Sequence, residues 1–151
     1  MLTDRDLTAL GCLADLQWLQ ISGDLSATNS GLRRLGRLTK LKTLIFDNTS
    51  GRPTGGLTDA TLAVVERMPH LTELHLEGNH ITDAGLARIR WPAGLVDLNL
   101  SGTRITDQGM HHLKKIASLR TLAVLDTRVT AAGVADLKTA LPKCQVRYRP
   151  W

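Results

Sequence analysis

The chain has 151 residues, which is the length of a single domain, and its 42% hydrophobic content is normal for a folded protein. No apolar run approaches the roughly 20 residues that cross a bilayer, and the first residues, MLTDRDLTALG, lack the apolar segment of a secretory signal. We therefore expect one folded domain in the cytoplasm. The formal net charge of +5 keeps nucleic acid among the partner classes to be considered.

Strand-like halves of the form L-x-x-L-x-L recur along the chain, and their spacing suits short strands with one buried face. In chain order they begin at Leu16, Leu41, Leu71, Leu95 and Leu119, and a last half-repeat is Leu141-x-x-Cys144-x-Val146. The turns from strand to helix follow at successive spacings of 25, 30, 24, 24 and 24 residues. Self-similarity at such a fixed period is the signature of a solenoid.

Each turn from strand to helix is an apolar residue followed by Thr, and we expect that Thr to be a helix N-cap that accepts a backbone N–H. The six pairs are Leu2-Thr3, Ala27-Thr28, Leu57-Thr58, Ile81-Thr82, Ile105-Thr106 and Val129-Thr130. In four of them an Asp follows, where the helix dipole favours negative charge. These are Asp4, Asp59, Asp83 and Asp107.

The copies LTELHLEGNHITDAGL at 71–86 and LVDLNLSGTRITDQGM at 95–110 resemble the leucine-rich repeat family. They are similar to its ribonuclease-inhibitor-like and F-box-receptor-like subclass, whose helical half begins I-T-D-x-G-L; the cysteines typical of the F-box versions are missing, which favours the bacterial kind. The resemblance implies an α/β solenoid, a right-handed arc of about five repeats with parallel strands on its concave face and helices on its convex face. The expected units are 1–15 (a half-repeat), 16–40, 41–70, 71–94, 95–118, 119–140 and a closing strand with a tail at 141–151.

The ends and the one large irregularity leave alternatives open. Residues 2–15 match the helical half of a repeat that has no strand of its own. Either the predicted helix at 3–14 is a minimal cap, or the chain is the C-terminal part of a longer solenoid whose exposed strand at 17–22 could pair with another chain. A six-residue insertion lies within 48–56, where Arg52 and Thr54 are possible partner contacts, although a merely tolerated insertion is the alternative.

Two further positions are interpreted as structural. The residue after each strand half is Asp24, Thr49, Asn79, Thr103 or Thr127. In the family this slot usually holds Asn, whose amide satisfies backbone groups of adjacent turns, and Thr is expected to supply a weaker version. The two cysteines, Cys12 and Cys144, lie about five layers apart and cannot form a disulfide, so we expect both to be small buried hydrophobic residues.

Side chains alternate along a strand, so the third, fifth and seventh positions of each strand half should face solvent. Down the stack these are Trp18, Gln20, Ser22, Thr43, Ile45, Asp47, Glu73, His75, Glu77, Asp97, Asn99, Ser101, Thr121, Ala123 and Leu125. All of them except Ser22, Ser101 and Ala123 are the candidate partner-binding residues. None of the fifteen is Lys or Arg, although 19 of the 151 residues are, and four are carboxylates.

An acidic face with Trp18, Ile45 and Leu125 around it predicts a protein or peptide partner with a basic or mixed surface. One alternative is a structural or self-associating module that uses its N-terminal edge. Another is nucleic-acid binding through the basic clusters at 33–42, 114–115 and 138–149. The sequence has no catalytic or zinc-ligand spacing, and an open sheet gives Glu73, His75 and Asp97 no dry pocket in which to bind a metal. We therefore expect no enzyme activity, no metal and no cofactor.

Overall fold

The computed structural model describes residues 2–23, 29–48 and 57–149, and of Asn29 only the backbone. The predicted loop contacts Arg52 and Thr54, and the slot residues Asp24 and Thr49, lie outside these ranges. The strands are β1 (Trp18–Ser22), β2 (Thr43–Asp47), β3 (Glu73–His75), β4 (Asp97–Asn99), β5 (Thr121–Ala123) and β6 (Gln145–Arg147). The α-helices are α1 (Asp4–Leu10), α2 (Asn29–Arg34), α3 (Asp59–Val65), α4 (Asp83–Arg88), α5 (Asp107–Leu113) and α6 (Ala131–Ala140), with a 3₁₀ turn at Leu35–Arg37.

The six strands form one parallel sheet in chain order, which confirms the predicted α/β solenoid. Equivalent residues of successive repeats stand side by side, so Leu44 pairs with Leu74, Leu74 with Leu98, and Leu98 with Leu122. Their side chains are almost completely buried, because each layer covers the apolar face of the next. In the described ranges no helix has the length and apolar character needed to span a membrane.

The helices are shorter than the sequence suggests. The first was predicted at 3–14 but occupies only Asp4–Leu10. The helix α4 ends at Arg88, because Ile89 already has extended backbone at φ −71° and ψ 140°. The described α-helices have six to ten residues, which is two to three turns. Helices of this length are too short to be stable alone in water, so they depend on the neighbouring layers for their stability.

At three of the turns, the Thr bonds chiefly to the preceding repeat. The N–H and O–H of Thr82 donate to the two carboxylate oxygens of Asp59 at 2.8 and 2.6 Å. Thr106 donates to Asp83 at 2.8 and 2.7 Å, and Thr130 to Asp107 at 2.8 and 2.7 Å. We call these three pairs the Asp–Thr ladder.

The N-cap expectation holds for only part of the ladder. Thr106 accepts from Gln108 N–H at 3.2 Å and Thr130 from Gly133 N–H at 3.5 Å, whereas Thr82 accepts no cap hydrogen bond. The same is true of Thr58. The prediction was incomplete, because the Asp after each Thr serves the next repeat as well as its own helix dipole.

The ladder also explains the Gly of the I-T-D-x-G pattern. A Cβ at Gly109 would collide with the Asp83 carboxylate, and Gly85 and Gly133 meet Asp59 and Asp107 in the same way. The glycine is therefore needed for the close approach of two layers.

The first repeat departs from this arrangement. The N–H and O–H of Thr3 donate to Asp6 at 2.8 and 2.7 Å, within the same helix. Asp6 stands three residues after its Thr, which is where inner repeats have Gly85, Gly109 or Gly133. Its carboxylate thus supplies the acceptor that a preceding repeat's Asp supplies elsewhere in the ladder.

The slot after the strand behaves as expected at Asn79. Its amide accepts from Leu57 N–H at 2.8 Å and donates to the carbonyls of Phe46 at 3.0 Å and Glu77 at 3.1 Å, which ties two repeats together. The hydroxyls of Thr103 and Thr127 donate to carbonyls of their own repeats, Leu100 at 2.6 Å and Val124 at 2.8 Å.

Two predictions at the ends of the chain are wrong. The register expected for the last strand put Cys144 opposite Leu122, but Val146 occupies that place. Cys144 is buried instead at the position that the first leucine of the L-x-x-L-x-L pattern occupies in other repeats. Its N–H donates to the carbonyl of Leu141, just as the N–H of Leu119, the first leucine of the preceding repeat, donates to the carbonyl of Ile116. Cys12 was expected to be buried, but α1 ends before it and it is exposed.

Candidate binding face

The strand face is the side of the sheet opposite the core. The structure places all twelve candidate residues on it, ten of them in strands β1 to β5 and two, Glu77 and Leu125, in the turns after β3 and β5. Trp18 is its most exposed large apolar side chain, at 55%. Gln20 is exposed, and Thr43, Ile45, Asp47, Glu73, His75, Glu77, Asp97, Asn99, Thr121 and Leu125 are half-buried. Two of the fifteen positions expected to face solvent, Ser101 and Ala123, are buried instead.

The strand face has an acidic centre on neighbouring strands. Glu73 pairs in register with Asp97 across β3 and β4, and His75 follows Glu73 on the same side. The His75 Nε2 atom lies 3.4 Å from Glu73 Oε1 and 3.4 Å from Asp97 Oδ1, and neither contact has hydrogen-bond geometry. The hydroxyl of Thr43 donates to Glu73 Oε2 at 3.2 Å, which holds that carboxylate against the sheet.

A chain of hydrogen bonds positions Glu77 and Asn99, on the other side of the acidic centre. The Asn99 amide donates to Glu77 Oε2 at 3.0 Å and accepts from Ser101 N–H at 2.9 Å. The Ser101 hydroxyl then accepts from Leu125 N–H at 3.2 Å. This bond explains why Ser101 is buried, because its side chain serves the next repeat instead of the surface. Ala123 is buried because its methyl group is shorter than the neighbouring side chains on the strand face.

Charge is distributed unevenly over the strand face. Its carboxylates, Asp47, Glu73, Glu77 and Asp97, lie on β2 to β4 or directly after them. From β1 to β5 the described face carries no Lys or Arg, and the first cation appears on β6, where Arg147 is exposed beside Ala123. Arg147 was not predicted to face outward, because the repeat pattern was followed to outward positions only as far as the fifth strand.

The helix side and the turns carry most of the basic residues. Arg33 and Arg34 are exposed on α2 and Lys138 on α6. Some of these cations are paired, as Lys40 is with Asp15 at 2.6 Å and Lys114 with Asp136 at 2.6 Å. Across residues 2–23, 29–48 and 57–149, no group of three or more His, Cys, Asp or Glu side chains is arranged to hold a metal ion.

Comparison with known proteins gives the class to which this fold corresponds. Residues 67–89 and 95–114 match the family model described as Leucine Rich repeat. The crystal structure of an internalin C2 from Listeria monocytogenes str. 4b F2365 aligns with 93% of this chain at a TM-score of 0.65 and 21% identity. The chain spans about half of that protein, 54% of its length. No curated protein matches the sequence.

The fold is therefore a leucine-rich repeat solenoid, and the two matched segments are leucine-rich repeats. At 21% identity the likeness to the internalin concerns the fold alone. The I-T-D-x-G-L subclass and a bacterial origin stay predictions from the sequence.

Proposed function

We propose that the strand face binds a protein or peptide segment that presents basic side chains. The fold supports the general part of this proposal, since leucine-rich repeat domains are generally protein–protein interaction modules. The observation that carries the specific part is the acidic centre, in which Glu73 and Asp97 lie on adjacent strands and Glu77 follows β3. These carboxylates face away from the core on a chain whose net charge is +5.

The apolar residues of the same face support a protein partner over a small cation. Trp18 projects from β1 at 55% exposure, and Ile45 stands beside Gln20 on the next strand. Tryptophan is among the residues that contribute most to binding when a partner covers them. A segment that crosses the strands would bury these side chains and place its charged groups over the carboxylates.

The test is the binding of a Lys- and Arg-containing peptide series, followed by isothermal titration calorimetry and NMR chemical-shift changes. The variant Glu73→Gln, Glu77→Gln, Asp97→Asn removes three charges, and we expect it to weaken binding at least about tenfold, since each exposed pair contributes up to about 1 kcal/mol. The matched control is Glu66→Gln, Asp126→Asn, Asp136→Asn, which removes the same charge elsewhere. Equal loss in both variants would mean that net charge, and not the strand face, is responsible.

Self-association through the N-terminal edge is a second candidate. Leu13 is 51% exposed and Trp18 55% exposed near β1, the edge strand of the sheet in the described ranges. Light scattering over a dilution series, with Trp18→Ala as the comparison, tests it. A mass of 16.5 kDa at every concentration would reject this candidate.

Nucleic-acid binding through the basic helices and turns is a third prediction from the sequence. Its test is a salt titration of affinity for DNA and RNA, because phosphate contacts must weaken steeply as salt is added. The acidic strand face disfavours this alternative, since it would repel a phosphate backbone.

A further inference from the structure

The strand face changes character from one end of the sheet to the other. On β1 and β2 it carries two large apolar side chains, Trp18 and Ile45, and a single carboxylate, Asp47, at the end of β2. On β3 and β4 it is acidic, with Glu73 and Asp97 paired in register. On β6 it ends in an exposed arginine, Arg147. The face is therefore asymmetric along the direction that crosses the strands.

From this asymmetry we propose that the partner segment crosses the strands in the order apolar, basic, acidic, with the acidic residue over Arg147. The inference rests on the proposed function, because it assigns an order to a segment that binds the same face. It extends that function, since a purely basic segment would leave the arginine end without a complementary charge.

The spacing of the sheet gives the spacing of the segment. Strands lie about 4.8 Å apart, so the midpoint between β3 and β4 is about 12 Å from both β1 and β6. An extended chain advances about 3.3 Å per residue, so 12 Å corresponds to about 3.6 residues from the middle of the central basic pair, which leaves two residues between that pair and each end group. Such a segment has the form apolar-x-x-basic-basic-x-x-acidic, in either chain direction.

The surroundings of Arg147 favour its use by a partner. Its neighbour on β5 is Ala123, whose side chain is small and buried. Leu125, half-buried after β5, adds apolar surface at this end. The carbonyl of Arg147 accepts from Val124 N–H at 2.8 Å, so the strand that presents the guanidinium is held in the sheet.

The experiment uses two peptides of identical composition with blocked termini. The ordered peptide has Leu at one end, Arg-Lys in the centre and Glu at the other end, separated by Ser and Thr. The permuted peptide has Leu in the centre and Arg-Lys at one end, which reversal of the chain direction cannot convert into the ordered form. We expect the ordered peptide to bind about threefold tighter, as a correctly placed exposed ion pair allows.

A charge exchange makes the test specific to Arg147. The variant Arg147→Glu should lose the preference for the ordered peptide, and a peptide with Lys in place of its terminal Glu should regain about threefold affinity for this variant. Lys138→Glu, on α6, makes the same change of charge on the helix side and should leave both affinities unchanged. Circular dichroism verifies that each variant is folded.

The outcomes separate this inference from the proposed function. If both peptides bind wild type equally and the charge exchange has no effect, the proposed order is wrong while the acidic centre still binds basic segments. If no peptide binds, and neutralising Glu73, Glu77 and Asp97 changes nothing, the proposed function and the order are both rejected.

Discussion

The two sides of the solenoid differ in how much their side chains vary from repeat to repeat. We call the side where the helices begin the helix edge. There, Asp59, Asp83 and Asp107 each accept hydrogen bonds from the N–H and O–H of the next repeat's Thr, at distances that agree within 0.1 Å. On the strand face, equivalent positions hold side chains of every kind. The fifth position alone has Gln20, Ile45, His75, Asn99, Ala123 and Arg147.

This difference indicates where the chain is free to vary. Stacking fixes the helix edge, because a carboxylate and a glycine meet at each of the three junctions of the Asp–Thr ladder, where two layers approach closely. The strand face has no such requirement, so its composition is available for recognition. Substitutions at the two sides should therefore have opposite consequences, for stability at one and for binding at the other.

The largest effect on stability is expected from Asp83→Ala. Both Thr106 donors lose their acceptor, which should cost about 3 kcal/mol given typical hydrogen bonds to charged groups. For a chain of this size that corresponds to a decrease in Tm of roughly 10 °C, measurable by calorimetry. The control is Asp136→Ala, whose ion pair with Lys114 is largely exposed on the Asp136 side. Equal effects of the two substitutions would contradict a special role for the Asp–Thr ladder.

A smaller loss is expected from Gly109→Ala, in the same junction. The added Cβ would meet the Asp83 carboxylate and, at 3.2 Å, Leu86 Cδ1. Overpacking of this kind costs about 1–3 kcal/mol, of which up to about 1 kcal/mol is offset by better helix propensity. Since Asp83→Ala removes the closest of these contacts, the double variant should lose less stability than the sum of the single ones. Strict additivity in denaturant unfolding would rule out this contact.

These junctions show what a single sequence reveals and what it conceals. The period of 24 residues gives the strands, their register and the buried leucines, because each is a local apolar pattern. The hydrogen bond that Thr106 donates to Asp83 joins residues 23 positions apart, so the pattern of neighbouring residues does not reveal it. The register of β6 failed for a related reason, since Cys144 and Val146 are both apolar and fit two alignments equally well.

On the strand face, too, the local sequence pattern does not reveal contacts between repeats. Alternation predicts which side chains leave the core, and it is correct for all twelve candidate residues. It fails at Ser101 and Ala123, where a hydrogen bond to the next repeat and a short side chain decide burial. The ion-pair distances around His75 depend on side-chain positions in two strands, which the repeat pattern does not contain.

The third prediction concerns the first layer, where Asp6 accepts the two Thr3 hydrogen bonds that an Asp of the preceding repeat accepts in the ladder. Asp6→Ala should lower Tm by less than half the effect of Asp83→Ala, because its bonds to Thr3 are exposed. The Thr3 hydroxyl, followed by the Thr3 N–H, holds the pKa of Asp6 below its ordinary value of 3.8. A carboxyl whose pKa falls on folding stabilises the native state above its unfolded pKa and loses that effect on protonation. The difference between the variant and wild type should therefore shrink as the pH falls below 3.8, and a constant difference down to lower pH would contradict the assignment.

The smallest effect on stability is expected on the strand face itself. The combined substitution of Glu73→Gln, Glu77→Gln and Asp97→Asn keeps the size of each side chain and its ability to accept the Thr43 and Asn99 hydrogen bonds. It also relieves the repulsion between neighbouring carboxylates, so the free energy of unfolding should change by no more than about 0.5 kcal/mol. The same protein should lose peptide binding, and the two measurements must be made on one preparation. A large loss of stability would show that these carboxylates contribute to stacking as the helix edge does, and binding data on the variant would then say nothing about recognition.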